Sequence, residues 1–221
     1  LGLALASCVF GYKLILCIPD NFSSEKIATL KNYDVDVRLA DHNTGNDCHI
    51  KLAQKLLQEN QNLVCLNQFT NPSNPKVHYL YTATEILEQM PVVPDILVSV
   101  IGSGGTIMGV GKRLKEVNPN LKIIAVQPKG CDMKNGKYIP HKIQATAVGQ
   151  VGSFVDFSLI DDFIDVDFEE IQELRANLAK REGLFVGISS GANILASVKI
   201  SYQTDKNVVT VAPDSARSYL C

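Results

Sequence analysis

The stretch ILVSVIGSGGTIMGVGKRLKE, residues 96 to 116, decides the fold. Ile96 to Ile101 is a short, nearly unbroken apolar run, the pattern of a strand covered on both faces. Gly102-Ser103-Gly104-Gly105-Thr106 follows at once, and from Thr106 to Val117 the apolar residues return at helical spacing. A second strand is read at Lys122 to Val126.

The same alternation extends in both directions. Leu1 to Phe10 reads as a helix stopped by Gly11. KLILCIP (13–19) reads as a buried strand, SSEKIATLKNY (23–33) as a helix capped by Ser23, and VDVRLA (35–40) as a strand. Lys51 to Glu59 is a helix and NLVCL (62–66) another strand. NQFTNPSNP (67–75), with three Asn and two Pro, then breaks the pattern and is the best place for the chain to cross between domains. Beyond it come a helix at Val77 to Gln89 and, after Lys122 to Val126, an irregular segment from 128 to 158. A strand at Phe163 to Val166, a helix at Phe168 to Arg181, a strand at LFVGI (184–188), a helix at Ala192 to Ser201 and a last strand at VVTVAP (208–213) complete the chain. Strands alternating with helices mean an α/β fold with mostly parallel, twisted sheets flanked by helices. Such folds bind ligands at the carboxyl ends of their strands.

The glycine loop sits at such an end. Glycines let backbone N–H groups approach a ligand closely, the following helix adds its positive end, and Ser103 and Thr106 add hydroxyls. A phosphate is the natural guest. A triphosphate loop would close on Gly-Lys-Ser/Thr, and no Lys follows here. A dinucleotide loop would place Gly or Ala where Ile107 stands, with an acidic residue about 20 positions on, whereas the next strand ends in Gln127. A single phosphomonoester on a small cofactor remains, against the plainer reading of a glycine turn that holds nothing.

Composition narrows the class further. The 221 residues are 46% hydrophobic and 20% charged with a net charge of -2, enough for a substantial core and without the basic stripe that nucleic acid requires. Six cysteines form no CxxC pair and no metal-ligand spacing, and Cys17 and Cys65 lie in apolar runs where a buried thiol is expected. That usage fits a reducing, cytoplasmic setting. His42, His49, His78 and His141 are scattered, so no metal site is expected. No apolar run reaches the ~18 residues of a membrane span. The opening LGLALASCVFGYK reads as a helix joined partway through, so the chain is expected to be incomplete at its N-terminus.

At this point the sequence resembles the cysteine synthase and cystathionine β-synthase group of pyridoxal-phosphate enzymes, of the fold type II, tryptophan-synthase-β-like kind. GSGGT resembles the group's phosphate loop, and NQFTNPSNPKVHY, PHKIQ, GLFVGISSGAN and PDSARSYL match further motifs in order. The resemblance implies two domains, a partial smaller one at 1–70 and a larger cofactor-binding one at 71–221. It implies pyridoxal 5'-phosphate as cofactor, its phosphate held by Gly102, Ser103, Gly104, Gly105 and Thr106. Ser215 is implied to hydrogen-bond the pyridine nitrogen, a neutral partner that favours β-elimination and replacement over transamination. Gln68 is implied near the substrate carboxylate, with backbone capping as its plainer role. Ser189 and Ser190 open a helix and are read as caps.

The implied reaction is β-replacement on serine or O-acetylserine by sulfide or a thiol, giving cysteine. A cystathionine β-synthase-like activity and a non-catalytic homologue that senses or binds a partner are the alternatives. PDSARSYL is similar to the cystathionine β-synthase form and GISSGAN to the cysteine synthase form. Homodimerisation and docking of a serine acetyltransferase tail are implied by the resemblance alone. The group's Schiff-base lysine belongs to a segment upstream of Leu1, so the catalytic residue is unknown within this chain. The parent protein is expected to be the enzyme and these 221 residues alone to be inactive. One segment departs from the group: Ala145-Thr146-Ala147 stands where Gly-Ile-Gly usually lies beside the cofactor, and it is expected to narrow that wall.

Overall fold

A computed structural model describes residues 1–22, 24–45, 47–144 and 146–219. The chain divides into two compact units, one of Leu1–Leu66 and one beginning at Asn67.

In the first unit, α1 (Gly2–Phe10) ends where Gly11 takes φ 72° and its N–H bonds Ser7 O, a left-handed stop that glycine accepts without strain. Strands β1 (Ile15–Pro19) and β2 (Asp36–Ala40) pair in parallel, with Ile15 opposite Asp36 and Pro19 opposite Ala40. Helix α2 (Ser24–Lys31) makes the crossover, and α3 (Cys48–Glu59) follows. Ala4, Leu30 and Val35 form the small core, with Leu14, Leu16, Tyr33 and Val37 packed on it. The expected cap, Ser23, lies outside the described residues. NLVCL forms no strand among the described residues; Val64 is 84% exposed and the Cys65 thiol is exposed. An apolar run supplies the side chains for a strand but not the neighbour that would hold it.

The second unit is built on a four-stranded, all-parallel sheet. Its order is β5 (Asp162–Val166), β4 (Lys122–Pro128), β3 (Ile96–Val100), β6 (Val208–Thr210). Successive side chains on a strand point to opposite faces, and the core divides accordingly. Leu97, Ile123 and Ala125 pack with Ile107, Val110 and Leu114 of α6 (Gly105–Val117). Ile96, Val98 and Val126 pack with Ile171 of α7 (Phe168–Asn177) and with Ile188, Ala192 and Ala196 of α8 (Ile188–Ser201). Both faces are therefore covered, as a parallel sheet requires. Before β3, α4 (Ser73–Val77) runs through a π-helical turn at His78–Thr82 into α5 (Ala83–Gln89). LFVGI contributes one antiparallel bridge, Val186 to Ser215, rather than a strand. Of the segment read as irregular, 128 to 158, Pro128 belongs to β4 and Phe157 and Ser158 to a 3-10 turn, and the described residues between them hold one isolated bridge, Asp132 to Lys137.

Candidate anion and substrate site

Strand β3 sits second from the β6 edge, and its carboxyl end delivers the chain into Gly102–Thr106. Gly104 adopts φ 92°, a left-handed turn that starts α6, and an added Cβ there would run into the side chain of Val155. At Gly105 an added Cβ would lie 2.6 Å from Asn74 Cγ. Asn74 occupies that space because its Nδ2 donates to Ser103 Oγ at 2.9 Å and to Gln68 O at 2.7 Å. Gly152 N donates to Ser103 O at 2.8 Å and fixes the loop from the other side. The loop's own amides are left over: none of the N–H groups of residues 102 to 106 donates to a group of the described residues. Orphan donors at a helix N-terminus are an anion site in waiting.

These residues line a cavity of about 390 Å³, together with Gln68, Val148, Asn193 and Asp214. Asn193, 1% exposed, ties the cavity floor together: its Oδ1 accepts from Val100 N at 2.7 Å and its Nδ2 donates to Val211 O at 2.8 Å. The carboxyl end of β3 and the segment after β6 are thus held by one buried amide. Asp214 caps α8 across 24 residues of sequence, accepting from Ser190 N at 2.8 Å and from Ser189 N at 3.3 Å. The Ser190 hydroxyl also bonds this carboxylate. Gly187 permits the approach, since a Cβ there would lie 2.7 Å from Asp214 Oδ1. A carboxylate at a helix N-terminus is favoured by both the free N–H groups and the macrodipole.

The residues singled out from sequence take different places. Gly102 to Thr106 and Gln68 line the cavity together, and the Gln68 backbone carbonyl is the one held by Asn74. Ser189 and Ser190 do not cap α8 themselves. They stand in its first turn as capped residues, and Asp214 is the cap, because Gly187 at the N-cap position has no side chain. Ser215 is exposed and is not among the cavity-lining residues; its Oγ reaches Phe185 O at 3.4 Å and accepts from Arg217 N at 3.3 Å. Ala145 lies outside the described residues. Ala147 is 5% exposed, carries φ 46° and donates its N–H to Ile101 O at 2.9 Å, so it packs under the loop while Val148 lines the cavity. Thr146 is buried with a hydroxyl that has no partner among the described residues.

Sequence reasoning passed over Asn74 and Asn193. Asn74 stood in the quoted NQFTNPSNP segment, and its amide is a natural loop brace, but its partner lies 29 residues away. His78 was noted only as unpaired with other histidines. Its Nε2 lies 3.3 Å from Thr106 Oγ1 and its Nδ1 3.0 Å from Thr82 Oγ1, and burial pushes its pKa below the usual 6.5.

Two other features use none of these loop residues. A wider groove of about 730 Å³ runs between α4 and α6, lined by Pro72, Tyr79, Met108, Lys112 and Phe154, and contains none of the loop residues 102 to 106. In the first unit Asp20, Asp41 and His42 bring ligand atoms within 4.8 Å of one another, which their spacing did not suggest. All three are exposed, and the carboxylates already accept bonds from His42 and Asn43. Among the described residues no helix is long and apolar enough to cross a membrane.

The family model "Pyridoxal-phosphate dependent enzyme" matches residues 1–214. A cystathionine beta-synthase of Apis mellifera is 38% identical over 232 residues, covering 100% of this chain and 46% of its own length. Cysteine synthase 3 of Caenorhabditis elegans is 37% identical over 225 residues, covering 99% of this chain and 67% of its own. The chain thus spans about half to two thirds of these relatives. The crystal structure of O-acetyl serine sulfhydrylase isoform 3 from Entamoeba histolytica superposes with a TM-score of 0.92 at 32% identity, over 99% of this chain and 67% of that one. The chain belongs to the family of pyridoxal-phosphate dependent enzymes.

Proposed function

We propose that the protein containing this chain uses pyridoxal 5'-phosphate to replace the β-substituent of serine or O-acetylserine with sulfide or a thiol, producing cysteine. The observation that carries the reading is the set of amides from Gly102 to Thr106, without partners among the described residues, at the head of α6 in a cavity of about 390 Å³. Several N–H donors, two hydroxyls and a helix N-terminus suit a phosphate dianion, and the donor set holds no cation that would demand a larger polyphosphate. When bound, the cofactor supplies an electron sink for the substrate's α-carbon, so that the β-substituent can leave.

The chain's own residues supply position and electrostatics. Gly102 to Thr106 would anchor the phosphate, with Asn74 holding Ser103 in place. Ser215 would offer the ring nitrogen a neutral hydroxyl, which leaves that nitrogen weakly basic and restrains competing transamination. Gln68, on the cavity edge, would donate its amide to the substrate carboxylate. Val148 and the Asn193-tied floor would bound the space left for the amino acid. The protein would work as a cytoplasmic homodimer, and a peptide tail such as that of serine acetyltransferase would compete for the same cavity.

The test is turnover by the purified full-length protein supplied with pyridoxal phosphate. O-acetylserine with sulfide should yield cysteine. Serine with homocysteine tests the second reading, for which the 38% identity to a cystathionine beta-synthase speaks as the 37% identity to cysteine synthase 3 does for the first. Tight cofactor binding with no turnover of either pair would mark a non-catalytic homologue and overturn the proposal.

A further inference from the structure

We infer that His78 is a positioning residue whose imidazole tautomer decides whether Thr106 can donate its hydroxyl proton to an anion held by the Gly102–Thr106 loop. The inference rests on reading that loop as a phosphate site. It follows from counting protons along a short chain of groups. Thr82 Oγ1 lies 3.0 Å from His78 Nδ1, and His78 Nε2 lies 3.3 Å from Thr106 Oγ1. Thr106 lines the cavity and His78 does not, so His78 acts through the threonine.

A neutral imidazole has one N–H donor and one acceptor nitrogen, and a hydroxyl has a single proton. The chain can therefore run in one of two directions. With the proton on Nε2, Thr82 donates to Nδ1, Nε2–H donates to Thr106, and the Thr106 proton is free for the anion. With the proton on Nδ1, the imidazole donates to Thr82, and Thr106 spends its only proton on Nε2. The hydroxyl then presents lone pairs to an incoming anion, which repel it. Two facts keep the choice binary. Burial lowers the His78 pKa, so near neutral pH the ring carries one proton. Thr82 Oγ1 has no other recorded partner among the described residues, so it is free to serve either direction. An anion that takes a hydrogen bond from Thr106 must select the Nε2–H form.

The experiment is ¹⁵N NMR on the histidine-labelled protein, with amide signals of the loop followed in parallel. The probes are inorganic phosphate and pyridoxal phosphate, and His78→Gln assigns the imidazole signals. The expected result is movement of the amide signals of residues 102 to 106 together with a His78 population that becomes predominantly Nε2–H. In Thr106→Val the amides should still respond while the His78 tautomer does not, and Thr106→Ser should restore the tautomer response. Moving amides with His78 in the Nδ1–H form, or a tautomer that still responds in Thr106→Val, would overturn the inference alone. Amides that ignore both probes at saturating concentration would overturn the phosphate reading and the inference with it.

Discussion

Gly105→Ala should damage the loop through a single neighbour, and the size of the effect can be worked out. The new Cβ would stand 2.6 Å from Asn74 Cγ, which must withdraw by about 0.8 Å to reach the 3.4 Å of ordinary contact. Asn74 Oδ1 is the atom nearest the new Cβ and must move further. A withdrawal of that size stretches the 2.7 Å bond to Gln68 O and the 2.9 Å bond to Ser103 Oγ beyond useful length. Two lost bonds at a net ~1 kcal/mol each come to ~2 kcal/mol, and overpacking typically costs ~1–3 kcal/mol before relaxation. The protein should therefore lose ~3–5 kcal/mol in urea unfolding. Its affinity for pyridoxal phosphate should drop by roughly tenfold or more, because Ser103 is no longer braced. The decisive control is the cycle with Asn74→Ala. Once the amide is gone the clash is gone, so Gly105→Ala in that background should cost less than ~1 kcal/mol. Denaturation and calorimetric titration of all four proteins measure the coupling. Additive costs would show that Asn74 is not what confines position 105.

Asn193→Leu removes both the acceptor of Val100 N and the donor to Val211 O, and two stranded buried groups at ~1–3 kcal/mol each should make it one of the costlier polar substitutions in the second unit, read by denaturation. Asp214→Ala uncaps α8 and should cost ~2 kcal/mol, with amide exchange quickening first at Ser189 and Ser190. Ala147→Gly should stabilise by ~1 kcal/mol, because φ 46° strains an alanine and not a glycine; a loss of stability would show that the methyl's packing outweighs the strain. Thr146→Val keeps the shape and removes a hydroxyl that has no partner among the described residues, so it should be neutral or stabilising. His78 is held below its usual 6.5, so the unfolded chain binds the proton more readily; its contribution is present above that value and is lost as pH falls from 6.5 toward the folded pKa. His78→Gln should flatten that part of the stability profile.

The sequence was most legible where one short stretch carried the whole signal. ILVSV, GSGGT and the helix to Val117 specified strand, turn and helix locally, and the structure returns β3 (Ile96–Val100) and α6 (Gly105–Val117) in those places. Strands that depend on a distant partner were less legible. VDVRLA became β2 because β1 lies beside it, whereas NLVCL has comparable side chains and forms no strand among the described residues. LFVGI makes a single bridge because the chain turns at Gly187 into α8. The site followed the same division. The loop was visible, but its supports arrive from 29, 93 and 24 residues away in Asn74–Ser103, Asn193–Val100 and Asp214–Ser190. Asp214 stands in the PDSARSYL segment beside Ser215, and nothing local marks it. Its role as the cap of α8 depends on Gly187 leaving room, which no local pattern announces.

The most direct test of the central claim is a crystal structure of the protein grown with pyridoxal phosphate. The account predicts that the phosphate lies in the cavity at the head of α6, with its oxygens within hydrogen-bonding distance of several amides among Gly102 to Thr106 and of the Thr106 hydroxyl. A phosphate bound away from this loop, with the amides of residues 102 to 106 left unengaged, would contradict it.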